Sequence, residues 1–393
     1  MRRWSLLRNA ALLGAALIAV GTQAKTPAAD LHSRLLTLDT HLDTALQFAR
    51  AGWNFGDVHP RDSDFSQLDI PRMQAGALDG GFFAIYTDQG PLTPQGYAAA
   101  LAIARTRSDL IDRTIAAHAD AIAPALTAAD AHRLNARGKL IAFKSIENSY
   151  PLGEDLTLLA EFKTRGVRLA SPVHGKNNQF ADSATDAPRW GGLSPLGRQW
   201  VAEMNRLGLV IDASHASDAS FDQMLALSKT PIILSHSSLR SANDHPRNLD
   251  EGRLRQLAAR GGAMCVSTIF LGDMKMSPAR AAIFAKYEDG SKLDAAAQRE
   301  LGRQWRALDA TEPMWDVGFD KYAAMVLRAI EVAGVNHICF GADWDGGGGL
   351  PGFDDITAQV RLTARLQDAG YSDADIGKMW SGNVLRILDA QKR

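Results

Sequence analysis

The sequence predicts an α/β protein, a TIM-type (β/α)8 barrel with a helical insertion after its seventh strand. Three observations carry this expectation. Eight short apolar or β-branched runs recur along the chain, segments of helical pattern stand between them, and metal-compatible side chains follow several of the runs. Barrels of this kind place their catalytic groups at the C-terminal ends of the strands.

In chain order the expected strands are Leu35–Leu38, Gly81–Tyr86, Leu140–Ser145, Val167–Ser171, Leu209–Ala213, Pro231–Leu234, Ala263–Thr268 and His337–Gly341. Each is short and apolar and ends in polar residues, as a strand buried on both faces of a parallel sheet should. The segments Gly96–His118, Leu156–Arg165, Pro195–Leu207, Ser217–Leu227, Asp250–Arg260 and Lys321–Ala333 are helical in period or composition. A doubly wound open sheet is the alternative, but no glycine-rich dinucleotide fingerprint follows the first strand. Residues 272–316 break the spacing with a charged, Ala-, Arg- and Lys-rich stretch, read as a helical insertion above the catalytic face.

Residues 1–24 read as a secretory signal peptide. Arg2, Arg3 and Arg8 form a basic head, Ala10–Val20 is apolar but short for a bilayer, and Thr22-Gln23-Ala24 offers a small-residue cleavage site. Residues 25–393 then form one barrel domain in an exported protein, periplasmic or secreted. Losing three arginines takes the formal charge from −1 to −4, which offers nucleic acid no basic surface. No later apolar run is long enough to make a transmembrane segment. Cys265 and Cys339 fall inside expected strands and read as buried thiols acting as small hydrophobes, with a disulfide as the alternative in an oxidising compartment.

The strand ends carry the chemistry. His41 and Asp43 follow the first strand, Glu147 the third, His174 the fourth, His215 the fifth, His236 the sixth and Asp343 the eighth. On extended backbone His41 and Asp43 share a face while Leu42 points away. Imidazole and carboxylate donors suit zinc. One ion would take His41, Asp43 and a shared carboxylate, a second that carboxylate with His215 and His236, and Glu147 is the candidate bridge. Two such ions can acidify a bridging water, opening ester, amide or phosphoester hydrolysis. The remaining histidines stay off the list: His59 and His245 read as loop residues, His32, His118 and His132 as surface or helix residues, and His337 lies at the wrong end of its strand. Asp345 shares strand parity with Asp343 and is its obvious competitor.

Seven segments together resemble the successive motifs of the membrane (renal) dipeptidase family, in family order. They are His41-Leu42-Asp43, Ser145-Ile146-Glu147-Asn148, Val173-His174-Gly175-Lys176-Asn177-Asn178, Asp212-Ala213-Ser214-His215, Leu234-Ser235-His236-Ser237-Ser238, His245-Pro246-Arg247-Asn248 and Gly341-Ala342-Asp343-Trp344-Asp345-Gly346. The similarity runs from about Leu36 to Leu385. It implies a distorted amidohydrolase-type barrel and a binuclear zinc dipeptidase holding two zinc ions per chain, with His41 and Asp43 on one, His215 and His236 on the other, Glu147 between them, and a metal-bridging hydroxide as nucleophile. It further implies that His174 polarises the scissile carbonyl, that Arg247 holds the substrate carboxylate, and that Asp343 shuttles the proton.

The implied substrate is a free dipeptide, including those with a C-terminal D-residue as in bacterial relatives, and family members are commonly homodimers. Glu147-Asn148-Ser149-Tyr150 lacks the glycines many relatives carry after the glutamate, Phe83–Gly90 differs from the mammalian form, and the insertion is long; side-chain preference is therefore left open. Two other functions compete: another metal-dependent amidohydrolase (lactonase, deacylase or β-lactam hydrolase), and a non-catalytic metal carrier, against which the acid/base candidate Asp343 argues.

Overall fold

Among the described residues nine strands, all paired in parallel, form the scaffold: β1 (Leu38–Leu42), β2 (Gly80–Tyr86), β3 (Ile122–Pro124), β4 (Leu140–Glu147), β5 (Val167–Ala170), β6 (Val210–Ile211), β7 (Ile233–Ser237), β8 (Ala263–Val266) and β9 (Ile338–Phe340). The structure, a computed structural model, describes residues 26–288 and 293–391; the signal expected over residues 1–24 lies outside the described residues. One sheet runs β1-β2-β4-β5-β6 and the other β7-β8-β9, while β3 pairs on the side with β4. Single bridges at Asp212↔Ile233 and Leu42↔Trp344 link the two sheets at their two seams. The result is a distorted α/β barrel whose ladder thins to a point at each seam.

Side chains compensate at both seams. At one, the Asp39 carboxylate accepts the Ala342 N–H at 3.1 Å; at the other, Asp212 accepts the Ser235 N–H at 2.9 Å. Both aspartates are buried. Amides the short strands leave unpaired thus find acceptors without water.

One core cluster takes residues from all eight ring strands: Leu38, Phe82, Phe143, Leu169, Val210, Ile233, Ala263, Cys265 and Cys339 among them. Phe82 and Phe143 are register partners with rings 4.8 Å apart, while Ala263, Cys265 and Cys339 are small. Bulk on one side against small residues on the other fills an unevenly shaped interior. The larger cluster lies between strands and surrounding helices, each positioned by local signals. Helix Pro195–Leu207, for example, opens with Ser194 accepting the Gly197 N–H and a proline in its first turn, and stops at Gly208 in the left-handed region (φ 64°).

Each of the eight expected strands overlaps an observed one; the bounds shift at the first and at the sixth, which is Ile233–Ser237 rather than Pro231–Leu234, and one further strand was not expected. The first strand is Leu38–Leu42 rather than Leu35–Leu38, because Asp39, Thr40 and His41 are buried inside the ring and find polar partners there. The third strand of the chain, Ile122–Pro124, was not expected; three residues ending in proline carry no alternation to read. His32, expected on a helix or the surface, is a buried helix residue: Nδ1 lies 2.8 Å from Thr363 Oγ1, Nε2 lies 3.1 Å from Gly76 O, and desolvation pulls its pKa down to about 4.

Cys265 and Cys339 are joined by a disulfide, not free thiols. They are directly opposed across β8 and β9, an adjacency that only the sheet register creates. The bond closes a sequence separation of 74 residues, for which chain entropy gives roughly 4 kcal/mol. Refolding under reducing conditions should therefore lower the urea midpoint well below that of the oxidised chain; coincident midpoints would show the bond contributes nothing.

Helices Pro278–Glu288 and Ala295–Ala307 follow β8 and precede helix Phe319–Ala333 in the chain. They pack on the segment that follows Asp43: Tyr287 donates to Gln47 Oε1 at 2.7 Å, Arg50 Nε donates to Gln298 Oε1 at 2.8 Å, and Phe65 lies 4.2 Å from the Tyr287 ring.

Candidate metal centre

Four imidazoles and three carboxylates drawn from distant parts of the chain meet at one end of the ring. His41 lies in β1, Glu147 is the last residue of β4, and His236 lies in β7; His174, His215 and Asp343 sit just past β5, β6 and β9. Asp43 begins a 3-10 turn, so strand alternation does not set its direction, yet its Oδ2 still comes within 3.7 Å of His41 Nε2.

Glu147 is the hub. Its Oε2 is 3.2 Å from His41 Nε2; its Oε1 is 3.1 Å from His215 Nε2, 3.4 Å from His236 Nε2 and 3.6 Å from His174 Nε2. The His215 and His236 Nε2 atoms are 2.8 Å apart, and Asp343 Oδ1 is 3.8 Å from His41 Nε2. Three triplets have ligand atoms all within 4.8 Å of one another: His41, Glu147 and His236; Glu147, His174 and His215; His41, Asp43 and Asp343. One face of Glu147 thus looks toward His41 and the other toward His215, His236 and His174.

The electrostatics describe a buried crowd of charge. Desolvation holds His236 and His215 well below the ordinary histidine range, helped by the positive charges of His41 and Arg247 for the first and Arg247 and His174 for the second. Desolvation opposes charge on His41 too, but Glu147 and Asp43 outweigh it and hold that ring well above the ordinary value. Glu147 is depressed because His41 and His215 outweigh its burial. Asp343 is pushed up to about 7 by burial and by the Asp43 and Glu147 carboxylates, against the pull of His41.

These residues fit a pair of divalent cations. Oxygen and imidazole nitrogen are the donors zinc takes, and a cation would relieve the carboxylate crowding. Among the described residues, nothing hydrogen-bonds the buried Asp43 Oδ1. A Cβ placed on Gly346 would stand 2.0 Å from Asp43 Oδ2 and 2.4 Å from Asp343 Oδ1, so any side chain there would push both carboxylates aside. His215, Asp343, Asp345 and Asn148 all have φ between 66° and 71°, the left-handed region non-glycine residues seldom enter. Strain concentrated around one centre marks a site held in place by its surroundings.

Every site residue read from the sequence lies in or against this centre. His174, with 32% of its side chain exposed, is the most accessible of the four imidazoles and lies edge-on to Tyr86 at 5.0 Å. Arg247 is buried and shares a crevice with His215. Its guanidinium donates to Ser237 Oγ at 2.9 Å and His236 O at 2.8 Å, leaving Nε without a partner. Desolvation pulls it to about 10, so it remains a cation at neutral pH. Asp345 turns away: it accepts from Thr44 Oγ1 at 2.5 Å and Gln67 N at 2.6 Å, which makes it a brace between loops. Sequence reading missed Asp39, Asp212, Ser235 and Gly346. The available signal was a polar residue inside or beside an apolar run, with Asp39 and Asp212 each two residues ahead of an amide it caps.

A family model described as membrane dipeptidase (peptidase family M19) matches residues 25–393. The chain is 29% identical over 377 residues to dipeptidase aclJ of Aspergillus oryzae, covering 93% of this chain and 80% of that protein. Its structure resembles the probable dipeptidase PvdM of Pseudomonas aeruginosa with a TM-score of 0.79 and 30% identity, covering 93% of this chain and 97% of the other. A metallopeptidase from Rhodobacter sphaeroides, liganded with a phosphinate mimic of the dipeptide L-Ala-D-Ala, shares the fold with a TM-score of 0.71 at 23% identity over 91% of this chain and 99% of the other. The chain belongs to the membrane dipeptidase family, peptidase family M19, and is a metal-dependent dipeptidase.

Proposed function

We propose that this enzyme is a binuclear zinc dipeptidase that hydrolyses free dipeptides, including those ending in a D-residue, and that it acts after export to the periplasm or beyond the cell. The observation that carries the reading is Glu147, with one oxygen facing His41 and the other facing His215 and His236. His41 and Asp43 would hold one ion, His215 and His236 the other, with Glu147 shared. Bound there, the ions supply Lewis acidity and acidify the attacking water.

The protein's own groups do the rest. His174, reachable from solvent and 3.6 Å from Glu147, donates toward the carbonyl oxygen as it gains charge. Asp343 takes a proton from the attacking water and returns it to the departing amine, from a buried position with Oδ1 3.8 Å from His41 Nε2. Arg247 meets the substrate carboxylate with the N–H groups not already given to Ser237 and His236. The disulfide and the basic-then-apolar N-terminus support export.

A substrate panel with metal analysis tests this. The purified protein is expected to carry two zinc ions per chain and to prefer free dipeptides, L-Ala-D-Ala among them, over N-acylated amino acids, lactones and β-lactams. Preference for an acylated or cyclic substrate would reject the dipeptidase specificity. Arg247→Ala is expected to lower kcat/KM on free dipeptides by roughly 30-fold or more, the scale of a buried charge-assisted contact, and to spare a C-terminally amidated analogue. Equal loss on both would remove the carboxylate role.

A further inference from the structure

His236 has a support that His41 lacks. An imidazole that offers Nε2 to a cation must keep its proton on Nδ1, and whatever faces Nδ1 decides whether it does. His236 Nδ1 lies 2.8 Å from Ser235 Oγ. That hydroxyl has one proton, directed to Asp212 Oδ2 at 2.5 Å. The other Asp212 oxygen accepts the Ser214 and Ser235 N–H groups, each at 2.9 Å, so the carboxylate acts as an acceptor throughout. With its proton committed, Ser235 Oγ can only accept from His236, which fixes the proton on Nδ1 and leaves the Nε2 lone pair facing Glu147 and His215. All three side chains are buried, so water does not compete. Among the described residues, none hydrogen-bonds the buried His41 Nδ1.

We propose that Asp212 and Ser235 are positioning residues that act through His236, holding its Nε2 ready for the ion it shares with His215. The proposal rests on the metal-centre reading above. It gives the two ions unequal support: the His215 and His236 side is held by a hydrogen-bonded relay, the His41 side is not. Asp212 also closes the β6–β7 seam through the Ser235 N–H, so replacing it would mix two effects. Ser235→Ala removes only the hydroxyl and leaves that amide contact in place.

The test is zinc competition against a chromophoric chelator, run on the wild-type chain, Ser235→Ala and Ser235→Thr, with melting temperatures of the metal-free forms. Ser235→Ala is expected to weaken one of the two zinc equivalents by roughly 10- to 100-fold and leave the other unchanged, with any fall in the metal-free melting temperature, from the donor lost to Asp212 Oδ2, reversed by threonine. Ser235→Thr, which keeps a hydroxyl, is expected to restore the weakened equivalent. Unaltered affinity at both, or equal weakening of both, would overturn the relay, as would a fall in metal-free stability that threonine does not reverse. A wild-type chain that takes up no zinc would overturn the metal reading itself, and the relay with it.

Discussion

Asp343→Asn is expected to lower kcat by roughly 10²- to 10⁴-fold, the range for losing a positioned proton-transfer group, while zinc content stays at the wild-type level. The substitution keeps the shape of the side chain and removes its ability to carry a proton. Asn tolerates the left-handed backbone at this position (φ 66°) as well as Asp does, and the Gly346 and Gly348 N–H groups bond the Asp343 main-chain oxygen, which does not change. Removing one of three crowded carboxylates should not destabilise the fold, because Asp43 and Glu147 then repel one charge fewer. Turnover by stopped assay and zinc by elemental analysis decide the matter. A variant that keeps about a tenth or more of wild-type kcat would strip Asp343 of the acid/base role.

Gly346→Ala is expected to disable the centre without replacing any ligand. The added methyl would overlap Asp43 Oδ2 at 2.0 Å and Asp343 Oδ1 at 2.4 Å, and neither carboxylate can stay where it is. Gly346 itself is not in the left-handed region, so the cost falls on those side chains rather than on backbone strain. Displacing reacting groups by about 1 Å costs on the order of 100-fold in rate, and here one displaced group is also a zinc ligand. Loss of one zinc equivalent should therefore accompany the loss of turnover. Gly138→Ala is the control: its φ is 66° and nothing lies within 4 Å, so it pays about 1 kcal/mol of backbone strain and leaves the centre alone. Wild-type zinc content and turnover in Gly346→Ala would mean that the carboxylates have room the geometry does not show.

Much of the barrel was legible because its strands are buried on both faces and read as short apolar runs, with segments of helical period or composition such as Pro195–Leu207 between them. The five ligand candidates could be named because so many metal-compatible side chains follow the expected strands together, and because their motifs resemble one family. The first strand was misplaced where polar residues point inward, and Ile122–Pro124 was too short to show a period.

By itself the sequence determined the alternation of strand and helix and the kinds of atom available to a metal, since both are written in local pattern and residue chemistry. Strand parity could not separate Asp343 from Asp345, which the family resemblance and then the tertiary structure did: β9 ends at Phe340, and both aspartates lie beyond it in left-handed backbone, where the alternation of strand side chains no longer applies. Tertiary structure likewise decided that Cys265 meets Cys339 and that Asp39 and Asp212 fasten the seams. These contacts join residues 23 to 303 positions apart. Their partners are set by strand register and by how the ring closes, and local periodicity specifies neither.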